Sequence, residues 1–464
     1  MPELSRILDA VDCELDRSLE RLFALLRIAS VSTEPLHAAD CRRAADWIAA
    51  DLTDLGFEAS VRETGGHPAV IGTHHDGTGP RVLFYGHYDV QPVDPLPLWE
   101  TAPFEPRITT GRTGTQHIVA RGASDDKGQI MTFIEACRAY KIATGTLPIG
   151  VTVLIEGEEE MGSKHLPAFV EAHREELAAD VALVCDTGMW DRATPAITLS
   201  LRGMVYEEVR LRCADRDLHS GLFGGAAQNP IHVLAKILAA LHDESGRIAI
   251  PGFYEGVADL PADVRDEYAR LNLSAEGFLG PVGLKVPAGE RDRLLIEQIS
   301  TRPSCDVNGI WGGYTGEGTK TVIPAEASAK VSFRLVGAQD PTKVREAFHA
   351  FVRARLPEDC SVEFISHKGS PAVSVPFDHP RLECARAALA DEWGKPAVRI
   401  GSGGSIPIIG DFKRVLGLDS LMIGFALDDD RVHAPNEKYD LTSFHKGIRS
   451  WVRILHALAQ EPRA

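Results

Sequence analysis

Apolar positions recur at helical spacing over 17–28 and 38–55, and Gly56 closes the second run with a stop signal. Short uninterrupted apolar runs follow at 82–85, 151–155 and 181–185, with a helical stretch over 129–141 between the first two. Buried strands alternating with helices predict an α/β fold, a mostly parallel sheet with helices on both faces. Near Gly203 the texture changes. Residues 206–213 alternate polar and apolar, as a half-exposed strand does. A helix is predicted over 231–242, with Asn229 as its cap and Pro230 in its first turn. Strands over 306–311 and 329–335, a helix over 342–356 and a strand over 362–366 follow. Two such strand–helix–strand units predict a small α+β sandwich, ferredoxin-like in order. From Pro380 the chain returns to helix and strand, including a strand over 421–427. The expected organisation is therefore a larger domain from 1–203 and 377–464, with 204–376 inserted into it.

The length of 464 residues agrees with two cores rather than one. A formal net charge of -17 disfavours a phosphate backbone as partner, so no nucleic acid is expected. No apolar run approaches the roughly 20 residues of a membrane helix, so no membrane partner is expected either. The N-terminus mixes acids and bases at helical spacing and lacks the basic start and apolar core of a secretion signal. The eight cysteines form no C-x-x-C pair, which fits reduced thiols in a cytoplasmic setting. Any metal must then be held by histidines and carboxylates.

Five places put such residues directly after an apolar strand. In Gly86-His87-Tyr88-Asp89, side chains two apart share a face of extended chain, so Asp89 can orient His87 as a metal ligand. Ser124-Asp125-Asp126 precedes a helix; a carboxylate there can bridge two cations, or simply cap the helix. Glu158-Glu159-Glu160 ends a buried strand, where uncompensated carboxylates are expensive and divalent cations would relieve them. Neighbouring Glu159 and Glu160 could divide the work, one holding metal and the other moving protons. Asp186 closes the run over 181–185, and His433 follows the strand over 421–427. Each is weak alone, since polar residues commonly end strands. Two histidines and three carboxylates meeting at one sheet edge would suit zinc, with manganese or cobalt as alternatives.

These motifs resemble the dinuclear zinc metallopeptidases related to carnosine dipeptidase, glutamate carboxypeptidase, aminoacylase and succinyl-diaminopimelate desuccinylase. The resemblance spans nearly the whole chain and is strongest to the dipeptidase branch, through GHYDVQP, ASDDKG, EGEEEMGS, DLHSGLFGG, TKTVIP, GGSIP and HAPNEK. It implies that His87, Asp125 and Asp186 hold one metal and that Asp125, Glu160 and His433 hold the other, with Asp125 bridging. It makes Glu159 the general base and Asp89 the acid that orients His87. It also implies a cis peptide at Asp125-Asp126. The inserted domain becomes a lid that mediates a homodimer, with His219 reaching a partner's site to stabilise the oxyanion. Thr321, Arg334 and Ser405 become the residues that grip the substrate's polar end. One departure stands out: Gly401-Ser402 lies where some dipeptidase relatives carry a charged pair, which leaves the terminal-group preference open.

The expected activity is hydrolysis of a dipeptide or short-peptide amide bond by a water activated between two divalent cations, with Glu159 as base. A deacylase of N-acyl or N-carbamoyl amino acids is the enzymatic alternative, separable by comparing a dipeptide panel with an N-acetyl panel. A catalytically inactive binding protein on a peptidase fold is the alternative from another class. It predicts a protein without metal, and the presence of all five ligand positions and Glu159 speaks against it.

Overall fold

The computed structural model describes residues 2–75, 80–111, 114–404 and 406–461. The chain divides into two compact units. One comprises Met1–Leu199, Val375–Ile400 and Ile406–Ala464; the other comprises Ser200–Ser374 and Gly401–Ser405.

In the first unit, consecutive residues Phe84 and Tyr85 point to opposite faces of the large sheet, as extended chain requires. Phe84 stacks on Phe133 of the helix Lys127–Thr144 with ring centroids 3.8 Å apart, and Trp451 of the helix Leu441–Leu458 meets both rings edge-on. Tyr85 instead meets Phe412, at 5.4 Å. Helical segments thus cover both faces. Across the sheet the strands run Glu58–Arg62, Ala69–His74, Gly150–Glu156, Arg81–His87, Val181–Val184, Ser420–Met422 and Ala196–Leu201. The four from Gly150–Glu156 to Ser420–Met422 are parallel, and the flanking pairs are antiparallel. The sheet is therefore mixed, where apolar runs alone predicted mostly parallel strands. Six residues join Glu58–Arg62 to Ala69–His74, too few for the crossover that a parallel pair needs.

In the second unit, the strands Gly203–Arg212, Ser304–Gly312, Glu326–Leu335 and Ser361–Ser366 form an antiparallel sheet. In chain order, first to fourth, they lie across the sheet as four-one-three-two, a split β-α-β arrangement of ferredoxin-like type. Alternation along Gly203–Arg212 sends Val205, Val209 and Leu211 into the core and Met204, Tyr206 and Glu208 to the other face. The helices Pro230–Ala239 and Pro341–Arg353 pack on the apolar face. Asn229 caps the first of them, accepting from Ile231 N at 2.9 Å, as its sequence predicts.

Candidate metal centre

Three parallel strands of the first unit stop in register: His87 ends one, Glu156 its neighbour, and Asp186 follows Val181–Val184. Ligands bind beyond the carboxyl ends of such strands. Gly86 is required there, because a Cβ would lie 2.3 Å from Ile130 Cγ2 and 2.6 Å from Asp126 Oδ2. The absent side chain lets the loop carrying Asp125 close over the strand end. The Asp125-Asp126 peptide is cis. His433 adopts a left-handed φ of 62°, a conformation costly for a residue with a side chain and concentrated at functional sites.

The first unit brings His87, Asp125, Glu159, Glu160, Asp186 and His433 together. His87 Nε2 lies 3.1 Å from Asp125 Oδ1 and 3.9 Å from Asp186 Oδ2. His433 Nε2 lies 2.9 Å from the other oxygen of the same carboxylate, Asp125 Oδ2, and 3.1 Å from Glu160 Oε2. Asp125 thus turns one oxygen to each imidazole. Donor atoms of His87, Glu159 and Asp186 fall within 4.8 Å of one another, as do those of Asp125, Glu160 and His433. Asp125 belongs to the second group but also stands 3.1 Å from His87, so three carboxylates, Asp125, Glu159 and Asp186, lie around that imidazole.

Asp89 is fully buried and tied to more than His87. Its Oδ1 lies 3.3 Å from His87 Nδ1. The same carboxylate accepts from the N–H groups of Glu159 and Glu160, at 3.2 and 3.1 Å, and from Ser32 Oγ at 2.6 Å. One side chain therefore fixes both the imidazole and the turn that presents the two glutamates.

The electrostatics follow from this crowding of acids. Burial, reinforced by Asp125, raises Asp186 well above the ordinary carboxylate range. Burial pushes Glu159 up to about 7, with Asp125, Glu160 and Asp89 adding to the rise and His87 opposing it. Hydrogen bonds to Asp125 and Glu160 lift His433 to about 10. Desolvation would lower His87, yet bonds to Asp125 and Asp89 carry it well above its usual value. The gathered carboxylates thus favour the charged form of both imidazoles. Divalent cations would take the place of protons on the ring nitrogens, and a His/carboxylate donor set free of cysteine fits them.

Several supports had no role in the sequence reading. Glu437 is fully buried, receives Arg121 at 2.8 Å, and accepts from the N–H groups of Gly122, Ser124 and Asp125 at 2.9–3.0 Å. Asp430 accepts from Ser124 Oγ at 2.8 Å. Gln91 donates to Glu160 Oε2 at 2.8 Å, and Asp126 accepts from His87 N at 3.1 Å. Glu437 and Gln91 stand inside the motifs HAPNEK and GHYDVQP, which was the available signal.

The remaining predicted residues belong to the second unit. His219 is exposed at the end of a two-residue strand paired with Val322–Ile323, and Thr321 O accepts from Ser220 N at 3.1 Å beside it. His219 Nδ1 accepts from Gly221 N at 3.0 Å, which leaves the proton of a neutral ring on Nε2, free to donate. Arg334 is half-buried on the strand Glu326–Leu335. Ser405 lies outside the described residues.

Convergent acids and imidazoles at the ends of parallel strands define a metallohydrolase. The chain belongs to the peptidase family M20/M25/M40, whose model matches residues 83–457, and it is a metallopeptidase. It is 30% identical to the Cys-Gly metallodipeptidase dug1 of Schizosaccharomyces pombe, over 98% of each chain. It is 29% identical to human Beta-Ala-His dipeptidase, over 83% of this chain and 76% of that one. The solved structure of the dipeptidase Dug1p from Saccharomyces cerevisiae superposes with a TM-score of 0.78 at 25% identity, covering all of both chains. Among the described residues, no helix is long and apolar enough to cross a membrane.

Proposed function

We propose that this protein is a two-metal dipeptidase, and the observation that carries the reading is the divided carboxylate of Asp125. His87, Asp125 and Asp186 would hold one divalent cation, and Asp125, Glu160 and His433 the other, with zinc preferred over manganese or cobalt. When bound, such a pair polarises the amide carbonyl and lowers the pKa of water toward neutrality. Glu159 is the carboxylate left over once Asp125 completes the first group, so it takes the proton from the attacking water and returns it to the leaving amine. Asp89 keeps Nδ1 of His87 engaged and Nε2 directed at the donors. His219 donates from Nε2 to the developing oxyanion. Thr321, Arg334 and Ser405 hold the substrate's carboxyl end, where a guanidinium can give two parallel hydrogen bonds.

The relatives named for Cys-Gly and β-Ala-His cleavage favour short peptides over N-acyl amino acids. A homodimer through the second unit is supported by its edge strand Ser304–Gly312, which exposes Val307, Ile310 and Trp311. Eight free thiols suit a reducing, cytoplasmic setting. The test is one preparation, sized by sedimentation, stripped and reloaded with zinc, manganese or cobalt, then offered dipeptides and N-acetyl amino acids. Release from dipeptides by a reloaded dimer is expected. Release only from the acyl series would replace the dipeptidase reading with a deacylase.

A further inference from the structure

The second unit carries a pair of arginines that its own acids leave unmatched. Arg202 stands one residue before the strand Gly203–Arg212, and Arg334 is registered opposite Met204 in the same sheet. Side chains two apart share a face, so Arg202 and Arg334 are diagonal neighbours, with Cα atoms about 7–8 Å apart. Both are half-buried. Among the described residues neither guanidinium has an ion pair or hydrogen bond, and Arg202 Nε is buried without a partner. Asp306 is the acid on this face nearest in register, opposite Ser332, and its carboxylate accepts from Ser304 Oγ at 3.2 Å. The loop Gly401–Gly404 contains no acid, and a Cβ on Gly403 would lie 2.7 Å from Arg202 Nη2. Backbone therefore lies against the guanidinium where a carboxylate side chain would have neutralised it. Burial first, then repulsion from Arg334, holds Arg202 below its ordinary value, with Asp306 only partly opposing them.

Two neighbouring, partly desolvated cations with only Asp306 as nearby counter-charge are unfavourable, and two carboxylates would relieve both. We propose that Arg202 and Arg334 form a dicarboxylate subsite, so that peptides ending in an aspartyl or glutamyl residue are the preferred substrates. Arg334 takes the α-carboxylate and Arg202 the side-chain carboxylate, which lies only a few bonds away in such a residue. The proposal rests on the reading of Arg334 as the grip on the peptide's carboxyl end.

The experiment compares kcat/KM for Ala-Glu and Ala-Gln with the metal-loaded enzyme and its Arg202→Gln, Arg202→Lys and Arg334→Gln variants. The unmodified enzyme should prefer Ala-Glu by about tenfold or more, the scale of one hydrogen-bonded charge pair. Arg202→Gln should bring that ratio close to one through KM, Arg202→Lys should keep part of it, and Arg334→Gln should weaken both peptides. Free glutamate should also inhibit the unmodified enzyme about tenfold more tightly than glutamine, a readout that requires no variant to fold. Equal efficiency on both peptides, equal inhibition, or an Arg202→Gln enzyme with its ratio intact would overturn the subsite alone. Hydrolysis of neither peptide would overturn the dipeptidase reading on which the subsite rests.

Discussion

The two units each hold a set of acids, and the two sets are treated in opposite ways. In the second, Glu207 is fully buried and receives Arg345 Nε at 2.6 Å, His349 Nε2 at 2.7 Å and Ser366 Oγ at 2.8 Å. Glu290 likewise receives Arg302 at 2.9 Å and Tyr254 at 2.8 Å. In the first unit, Asp125, Glu159, Glu160 and Asp186 face one another, and among the described residues no lysine or arginine pairs with any of them. Acids matched by guanidinium serve the architecture. Acids gathered without it leave room for a ligand of opposite charge, and the unmatched arginines at 202 and 334 are the same situation with the sign reversed.

The strongest way to break that contrast is at Glu159. Glu159→Gln keeps the shape of the side chain but cannot accept and return a proton. Turnover should fall by about 10²–10⁴-fold while both cations stay bound, checked by steady-state kinetics beside elemental analysis. Near-full activity with two metals present would show that the spare carboxylate is only another ligand. The converse is expected at Glu207. Glu207→Ala strands Arg345 and His349 around an unfilled site, so urea unfolding should show a loss of about 3 kcal/mol. Metal content and kcat per folded molecule should not change. A variant that loses metal before it loses stability would mean that the second unit's buried acids are not purely architectural.

Much of this contrast could be read along the chain, and what could not shares one physical cause. His87 and Asp89 were visible because period-two geometry puts them on one face within three residues. Asp125, Glu160, Asp186 and His433 were visible because each follows a strand or precedes a helix. What local pattern cannot contain is the division of one carboxylate between imidazoles from distant parts of the chain, and that division is what points to two cations. Glu437 was passed over for the same reason: its bonds reach Arg121, Gly122, Ser124 and Asp125, more than 300 residues away. The antiparallel flanks of the large sheet were missed because an apolar run reports burial and not direction, and only the short 63–68 connection carried that information. Arg202 gave no signal, since its significance lies in which acids are missing around it.

Glu156 tests the contrast most finely, being a buried acid of the first unit that has neither a guanidinium nor a place among the candidate ligands. Tyr85 OH and Ser163 Oγ donate to its Oε1 at 2.6 and 2.8 Å, and its Oε2 is buried without a partner. Burial, aided by Asp89 and Glu159, pushes it up to about 8 even though both hydroxyls pull it down. In the unfolded chain it titrates near its ordinary value of about 4.3. Below that pH the group is neutral in both states and has no effect on stability. Between there and about 8 the unfolded chain ionises while the fold retains the proton, so stability drains away as pH rises through the folded value. Glu156→Gln keeps an oxygen for both hydroxyls and removes the titration. In chelator-treated protein, unfolding free energies from urea titrations should coincide near pH 4 and separate in favour of the variant by about 2 kcal/mol or more at pH 8. Parallel curves for the two proteins would mean that Glu156 is already ionised in the fold, with compensating charge that the contrast between the units leaves out.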